Sequence, residues 1–330
     1  MAVKALRTTR PITTSKPQSV ERQPRTQTIT HGDLQWIDIR QPTPTDMTDL
    51  RQKFPAFHPL NLEDCLSKVQ RPKIDEYADE GYLFLVLHFP LYNKSARHTS
   101  VAEVDIFVGR GYVVTVHDGS LKPLTNLFGA ANSEEGVRSK LMGRGSGFLL
   151  YRVIDQLVDY CFPILNKIDE HIERIEESIF DRSVRLLVQD LTLVRRDIIA
   201  LRRIIKPNLP VIRQLESREH AFLRVDEDVY FGDILDHLTK QWEMLEDDKE
   251  IIEGLNYTLD SLTSHRINEV IKILTIISVV LLPMTLIASI YGMNIGLPFD
   301  QHPFAFPIVV GLMLMAAVGM LIYFRIKGWV

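Results

Sequence analysis

Four residues near the C-terminus combine side chains suited to handling a hydrated cation at a membrane face. Tyr291, Gly292, Met293 and Asn294 lie inside a run without formal charge, residues 273–299, and a second such run covers residues 303–324. Tyr291 suits the aromatic belt of a membrane interface, and Gly292 permits a helix to end. Asn294 presents a neutral carboxamide. A ring of such carbonyls can hydrogen-bond the water shell of magnesium, which sheds its water reluctantly.

A polar stripe upstream of these residues has the composition to line an aqueous path. Small hydroxyls alternate there with bulky apolar side chains, at helical spacing. The stripe consists of Asn268, Ile271, Leu274 (or Thr275), Ser278, Leu282, Thr285 and Ser289. The alternative is that the Ser and Thr hydroxyls merely bond back to their own helix, which is common in membranes. Neither uncharged run contains an Asp, Glu, His, Lys or Arg side chain, which argues against a carboxylate filter and a proton relay.

The two uncharged runs predict a two-span membrane anchor. Each exceeds the roughly 20 apolar residues that a helix needs to cross the hydrocarbon core. Arg266 and Lys272 precede the first span and Arg325 and Lys327 follow the second, whereas the connecting turn carries no basic residue. The positive-inside rule therefore predicts that both termini lie in the cytoplasm. We expect the protein in the plasma (inner) membrane. Two spans cannot enclose a pore, so a pore requires several copies of the chain.

One long helix is predicted to carry the first span. Apolar residues recur at steps of three and four, with no Gly-Pro punctuation before Tyr291 and with Pro283 inside the span. The stripe reads Phe231, Leu235, Leu238, Trp242 and Leu245, then Ile252, Leu255, Leu259 and Leu262, and it is broken only near Asp248 and Lys249. A narrow stripe on a helix of about 60 residues must pack on neighbours, which favours oligomerisation.

The rest of the chain is predicted to be an α+β cytosolic domain, a mixed sheet with covering helices, followed by long helices. Strands are expected at residues 34–39, 82–89, 104–108 and 112–116, with a hairpin at Gly109-Arg110-Gly111. Two long antiparallel helices, interrupted near Pro163, Pro207 and Pro210, are expected beyond residue 146. The predicted segments are a disordered tail (1–33), the α/β domain (34–145), the helix pair (146–227), a stalk helix (228–270), the pore-lining span (271–291), a signature loop (292–303), the second span (304–324) and a basic cytoplasmic tail (325–330).

Composition argues against several function classes. The formal net charge of −4 gives no case for a nucleic-acid partner, which calls for a basic face. Cys65 and Cys161 fit no metal-ligand spacing and are expected to be free thiols in a reducing cytosol. No nucleophile, base and orienting group stand at a known catalytic spacing, so we expect no enzyme and no organic cofactor.

These motifs together resemble the CorA-type metal ion transporter family. The resemblance rests on Tyr291-Gly292-Met293-Asn294 after Pro283-Met284-Thr285, on Asn268-Glu269-Val270 through Leu274-Thr275, and on the closing Tyr323-Phe324 and Lys327-Gly328-Trp329. It covers the chain from about residue 34 to the end. It implies a homopentameric, funnel-shaped channel in the lipid bilayer that carries divalent cations into the cytoplasm. Magnesium, or cobalt or nickel, would be both the transported ion and the regulatory ligand.

The resemblance also implies roles for particular residues. Gly292, Met293 and Asn294 would receive the hydrated ion, and Ile271, Leu274 and Leu282 would form the hydrophobic constriction of the polar stripe. Counting back from Asn294 places Asp233 at a cytosolic metal-sensing position, with Asp236 nearby in an acidic stretch. The alternative for that stretch is an acidic, solvated helix start. A second ligand would come from an adjacent subunit. Metal bound there would close the pore, and the membrane potential would drive influx.

The turn after Asn294 departs from the pattern of the magnesium-type members. Those members often continue with an acidic Met-Pro-Glu-like turn, whereas this chain has Ile295-Gly296-Leu297-Pro298-Phe299-Asp300, with His302 beyond. The turn is about equally similar to that of the zinc-transporting ZntB-like branch. A proton-coupled zinc transporter therefore remains an alternative, and a non-conducting, membrane-anchored coiled coil is a remote one.

Overall fold

A six-stranded mixed sheet organises the N-terminal half of the protein. The computed structural model describes residues 25–67, 69–93, 98–220, 222–223, 225–293 and 303–329. The strands are β1 (Thr26–His31), β2 (Leu34–Arg40), β3 (Lys73–Tyr77), β4 (Tyr82–Asn93), β5 (His98–Gly109) and β6 (Tyr112–His117). They lie in the order β1-β2-β6-β5-β4-β3, with β2 and β6 parallel and every other pair antiparallel. The predicted α+β class is confirmed.

Ten helices complete the described part of the chain. The sheet region carries α1 (Pro44–Lys53), α2 (Pro59–Asp64), α3 (Lys122–Ser133) and α4 (Glu135–Met142). The long helical region comprises α5 (Ser146–Asp159), α6 (Phe162–Glu177), α7 (Val184–Ile205) and α8 (Asn208–Glu216). The C-terminal helices are α9 (Glu227–Tyr291) and α10 (Ala305–Ile326). Thr43 and Asp46 form a capping box that starts α1.

The predicted disordered tail, residues 1–33, extends too far. Thr26 to His31 form β1, which pairs in register with β2 from Thr26–Ile39 to His31–Leu34. Ile29 is the buried side chain of that strand. An edge strand with a single buried residue shows almost no alternation of apolar residues in the sequence. Backbone pairing, not side-chain burial, keeps such a strand in the sheet. Residues 1–24 lie outside the described part.

Prolines divide the predicted helix pair into four helices. A turn at Tyr160 and Cys161 separates α5 from α6, just before Pro163, and Lys206–Pro207 separate α7 from α8. Pro210 causes no break, because it lies in the first turn of α8, where no intrahelical donor is needed. The prolines at 163 and 207 therefore interrupt the helices as predicted, and the one at 210 does not.

The described chain divides into two compact units. Met1–Asn166 and Ile199–Met244 form the first, and Lys167–Ile198 and Leu245–Val330 form the second. The first unit has an aromatic core on one face of the sheet, where the Phe57 ring stacks on Phe107 with centroids 4.4 Å apart. Across the parallel pair of β2 and β6, Asp38 accepts hydrogen bonds from the Thr115 hydroxyl at 2.7 Å and from His117 Nε2 at 3.0 Å.

A single helix, α9, runs through the predicted stalk and the predicted first span. It contains 65 residues, so its length is about 98 Å at 1.5 Å per residue. Pro283 lies inside it without ending it, and no break marks the predicted boundary between residues 270 and 271. The second unit packs its part of α9 through Leu245, Ile252, Leu255 and Leu259. The prediction of one uninterrupted helix of about this length is confirmed.

Candidate functional site

The polar stripe predicted on α9 forms one exposed face of a continuous helix. At about 100° per residue, its seven positions fall within an arc of about 120°. Leu274 and Leu282 are 63% and 68% exposed in the single chain, and Asn268, Ile271, Ser278, Thr285 and Ser289 are exposed as well. Large apolar side chains so open to the surroundings call for lipid or another protein chain as a partner.

Two hydroxyls near this face donate to their own helix. Thr275 Oγ1 donates to the Ile271 carbonyl at 2.7 Å, and Thr285 Oγ1 donates to the Leu281 carbonyl. Each hydroxyl uses its single proton in that hydrogen bond, while its oxygen lone pairs stay available to accept another. The two interpretations of the stripe are therefore compatible. A back-bonded Thr on an exposed face still offers an acceptor to the water shell of a cation.

The signature motif begins where α9 ends. The Gly292 amide donates to the Ala288 carbonyl at 2.9 Å and the Met293 amide to the Ile290 carbonyl at 3.3 Å, which closes the last turn. A Cβ added to Gly292 would lie 3.1 Å from the Ala288 oxygen, so this tight end favours glycine. Gly292 does not adopt the positive φ of a left-handed helix cap. Asn294 and the predicted turn at residues 295–302 lie outside the described residues.

Both apolar helices have the length and composition to span a membrane. The candidate spans belong to the helices at Val229–Tyr291 and Ala305–Ile326, and no residue in the most apolar stretch of either helix is buried. These stretches therefore differ from the core helix of a soluble protein, whose apolar residues are mostly buried. Lys272 Nζ donates to the Gly328 carbonyl at 3.2 Å, which brings the basic residues that flank the first span and those that flank the second to the same end of the two spans.

The closing aromatic motif forms a Schellman cap on α10. The Trp329 amide donates to the Phe324 carbonyl at 2.9 Å, and the Gly328 amide donates to the Arg325 carbonyl at 3.1 Å. Gly328 adopts a φ of 69°, the left-handed conformation that glycine tolerates best. The Trp329 ring stacks on Phe324 with centroids 5.6 Å apart. The carbonyl of the same Gly328 accepts a hydrogen bond from Lys272 Nζ, so the capped end of α10 contacts α9.

The predicted sensing residue Asp233 lies beside an acidic cluster in the first unit. Asp155, Asp159 and His237 each offer one ligand atom within 4.8 Å of the others, a geometry that can hold a metal ion. His237 Nε2 lies 4.0 Å from Asp233, and Tyr151 donates to Asp233 at 3.3 Å. Asp236 is exposed and is not part of this group.

The chemistry of the cluster fits a divalent cation. His237 Nδ1 lies 3.2 Å from Asp159 Oδ1, yet it is buried and has no hydrogen-bond partner among the described residues. Burial raises the pKa of Asp155, and the neighbouring Asp159 raises it further. Carboxylates that repel one another beside an imidazole would be stabilised by a bound cation.

Sequence reasoning placed Asp233 but missed the cluster. Asp155 and Asp159 are four residues apart on α5, and Asp233 and His237 are four apart on α9. That spacing puts each pair on one helix face and is visible in the sequence. The proximity of α5 to α9 is a long-range contact, which no local pattern reveals.

Comparisons with known proteins agree over nearly the whole chain. Residues 31–327 match the family described as "CorA-like Mg2+ transporter protein". The putative metal ion transporter YfjQ of Bacillus subtilis is 36% identical over 297 residues, 89% of either chain. The cobalt/magnesium transport protein CorA of Thermotoga maritima is 32% identical over 295 residues, 89% of this chain and 83% of that protein.

A solved structure shares the fold. The complete CorA magnesium transporter from Methanocaldococcus jannaschii superposes with a TM-score of 0.80 at 22% identity, over 92% of this chain and 94% of that one. The family match, the curated relatives and two exposed apolar helices therefore lead to one conclusion. The chain belongs to the CorA-like Mg2+ transporter family and is a membrane transporter of divalent metal ions.

Proposed function

We propose that the chain is the subunit of a homopentameric channel that imports magnesium into the cytoplasm, with cobalt and nickel as further candidate ions. The observation that carries the proposal is the exposed polar face of α9, which includes Ser278 and Thr285. Copies arranged with this face inward would line a path with hydroxyl oxygens, a carboxamide at Asn268 and apolar rings. Gly292, Met293 and Asn294 would receive the hydrated ion at the outer mouth.

The proposed driving force is the membrane potential. Moving one charge through 100 mV is worth about 2.3 kcal/mol, so a divalent ion gains about 4.6 kcal/mol. Apolar rings at Ile271, Leu274 and Leu282 would gate the path by drying, which costs no side-chain ionisation. We expect both termini in the cytoplasm, since the basic flanks of the two spans lie at one end of the spans.

The proposed regulation places a cytosolic divalent ion at the acidic cluster. Asp155, Asp159 and His237, with Asp233 beside them, would hold the ion and neutralise their mutual repulsion. Occupancy would stabilise the closed arrangement of α9, and its loss would free the helix to shift. Asp236 stays a candidate for a contact with a neighbouring subunit.

The ion and its coupling can be decided by flux measurements in liposomes. We expect uptake of magnesium, cobalt and nickel driven by an inside-negative potential, without any pH gradient. The predicted turn after Asn294, which includes Asp300 and His302, departs from the magnesium-type pattern and keeps zinc as the alternative ion. Zinc uptake that requires a pH gradient, together with no magnesium uptake, would replace the proposal by the proton-coupled zinc transporter.

A further inference from the structure

The buried stripe of the stalk contains one ionisable side chain. Nine positions of α9 are buried and recur at alternating steps of three and four residues, the heptad pattern of a helix packed along a narrow seam. These positions are Phe231, Ile234, Leu238, Gln241, Leu245, Asp248, Ile252, Leu255 and Leu259. The sequence pattern predicts that Leu235 and Trp242 belong to the stripe and that Asp248 interrupts it. Instead, Asp248 occupies a stripe position.

Asp248 has no compensation for a negative charge among the described residues. The residue is 4% exposed, and its Oδ2 atom is buried without a hydrogen-bond partner. The charged groups that face it are Asp169 on α6 and Asp247 on α9, and both are acidic. The adjacent Lys249 pairs instead with Glu253, at 3.5 Å. An ionised carboxylate in such a place is costly, whereas its neutral form packs as a small polar side chain.

The proton equilibrium of this group falls in the physiological range. Burial, with smaller contributions from Asp169 and Asp247, raises the pKa of Asp248 from 3.8 to about 7. Because the pKa of Asp248 is higher in the packed state than in the unfolded chain, between about pH 4 and pH 7 the packed state keeps a proton that the unfolded chain has lost. The packed state is therefore most stable below pH 4, loses stability as the pH rises towards 7, and stays at that lower stability above pH 7.

We propose that Asp248 is a proton-operated switch in the stalk. Protonated, it completes the buried stripe; ionised, it places an unpaired charge there and loosens the packing of α9 in the second unit. Since α9 continues without a break into the first span, cytosolic alkalinisation would favour the shifted, conducting arrangement. This last step rests on the proposed channel function, whereas the change in packing does not.

Hydrogen exchange on the full-length protein in detergent tests the packing directly. For the amides of residues 245–259, corrected for intrinsic exchange, we expect protection about tenfold lower at pH 8 than at pH 6. Asp248→Asn should make protection equal at the two pH values, and Asp247→Asn should keep the difference. Asp169→Asn, which leaves the stripe itself intact, should move the loss of protection to lower pH, since it removes a negative charge that opposes ionisation of Asp248. Protection independent of pH in the wild type, or a difference that survives Asp248→Asn, would overturn the proposal.

Flux separates the switch from the proposed function. In liposomes with the cytosolic side inside, wild-type magnesium uptake should be faster at an internal pH of 8 than of 6. Asp248→Asn should give the slow rate at both. Absence of uptake by every variant, with the exchange difference intact, would refute the channel and leave the proton-dependent packing standing. Equal pH dependence of uptake in wild type and Asp248→Asn would refute the switch.

Discussion

At the scale of residues, the Thr285 hydroxyl can donate a hydrogen bond to its own helix and still accept one from the water shell of an ion. The hydroxyl donates to the Leu281 carbonyl, so the oxygen faces its surroundings as an acceptor only. An acceptor suits the hydrogens of a metal-bound water, whereas a free hydroxyl could also present its donor. Asn268 supplies a neutral carboxamide on the same face. A path built from such groups would bind a hydrated cation weakly enough to release it.

Asp38 should make the soluble part of the protein sensitive to acid. Burial alone would raise its pKa, but hydrogen bonds from His117, Thr115 and Arg40 lower it below 3.8. The stability contributed by the ionised carboxylate is therefore present above pH 4 and lost as the pH falls further. We expect Asp38→Asn to cost about 1–3 kcal/mol at neutral pH, because the network loses its charged acceptor.

Thermal unfolding in detergent across pH measures this effect. The deficit of Asp38→Asn should shrink towards pH 3, while Asp49→Asn, at an exposed position on α1, should match the wild type throughout. A deficit that stays constant from pH 7 to pH 3 would contradict the assignment.

His237 should distinguish the metals that bind the acidic cluster. Imidazole is a good ligand for cobalt and nickel, whereas magnesium prefers oxygen ligands. We therefore expect His237→Ala to reduce the rise in melting temperature caused by cobalt more than that caused by magnesium. His171→Ala, at an exposed position on α6, serves as the control. Equal losses for the two metals would argue that His237 contributes no ligand.

At the scale of elements, the C-terminal cap of α10 should be sensitive to a single methyl group. Gly328 has a φ of 69°, so Gly328→Ala should destabilise the last turn by about 1 kcal/mol. Hydrogen exchange at residues 325–329 should speed up several-fold, and the Lys272 contact should weaken with it. Gly319→Ala, in the same helix with no atom within 4 Å of the added Cβ, should not raise exchange there. Identical exchange in both variants would contradict the capping role.

The elements that sequence reasoning predicted are those with strong periodicity. The β5–β6 hairpin and α9 follow from alternating and heptad-like apolar patterns, and both are present. β1 and β3 were missed because edge strands are held by backbone pairing and have few buried side chains. The buried stripe of α9 differs from the predicted one at two positions, where Ile234 and Gln241 are buried in place of Leu235 and Trp242. Gln241 can be buried because its side-chain amide donates to the Val158 carbonyl at 2.8 Å.

The residues of the candidate site also fall into a part that the sequence pattern predicts and a part that it does not. The polar face of α9 is a property of one helix, so spacing alone could predict it. The acidic cluster requires two helices from distant parts of the chain to meet, and the sequence indicated only Asp233. Residues that act through a fold contact, such as Asp155 and His237, become visible only when the packing is known.

At the scale of the whole molecule, a single chain exposes more apolar helix than a protein in water can tolerate. α10 and the last third of α9 expose large side chains such as Leu282, Phe306 and Met315. A bilayer can cover the outward faces, but the hydroxyls and the carboxamide of the polar face gain nothing from lipid. Assembly of several copies around that face would satisfy both demands, which favours an oligomeric pore.

The most direct test is potential-driven magnesium uptake by liposomes containing Asn294→Ala. The wild type should take up magnesium faster as the inside-negative potential rises, with no pH gradient. Asn294→Ala should abolish that uptake while the oligomer keeps its size by light scattering. Gln301→Ala, which removes another carboxamide from the predicted signature loop, should retain most of the flux. Unchanged magnesium flux through Asn294→Ala, or flux indifferent to potential, would contradict the account.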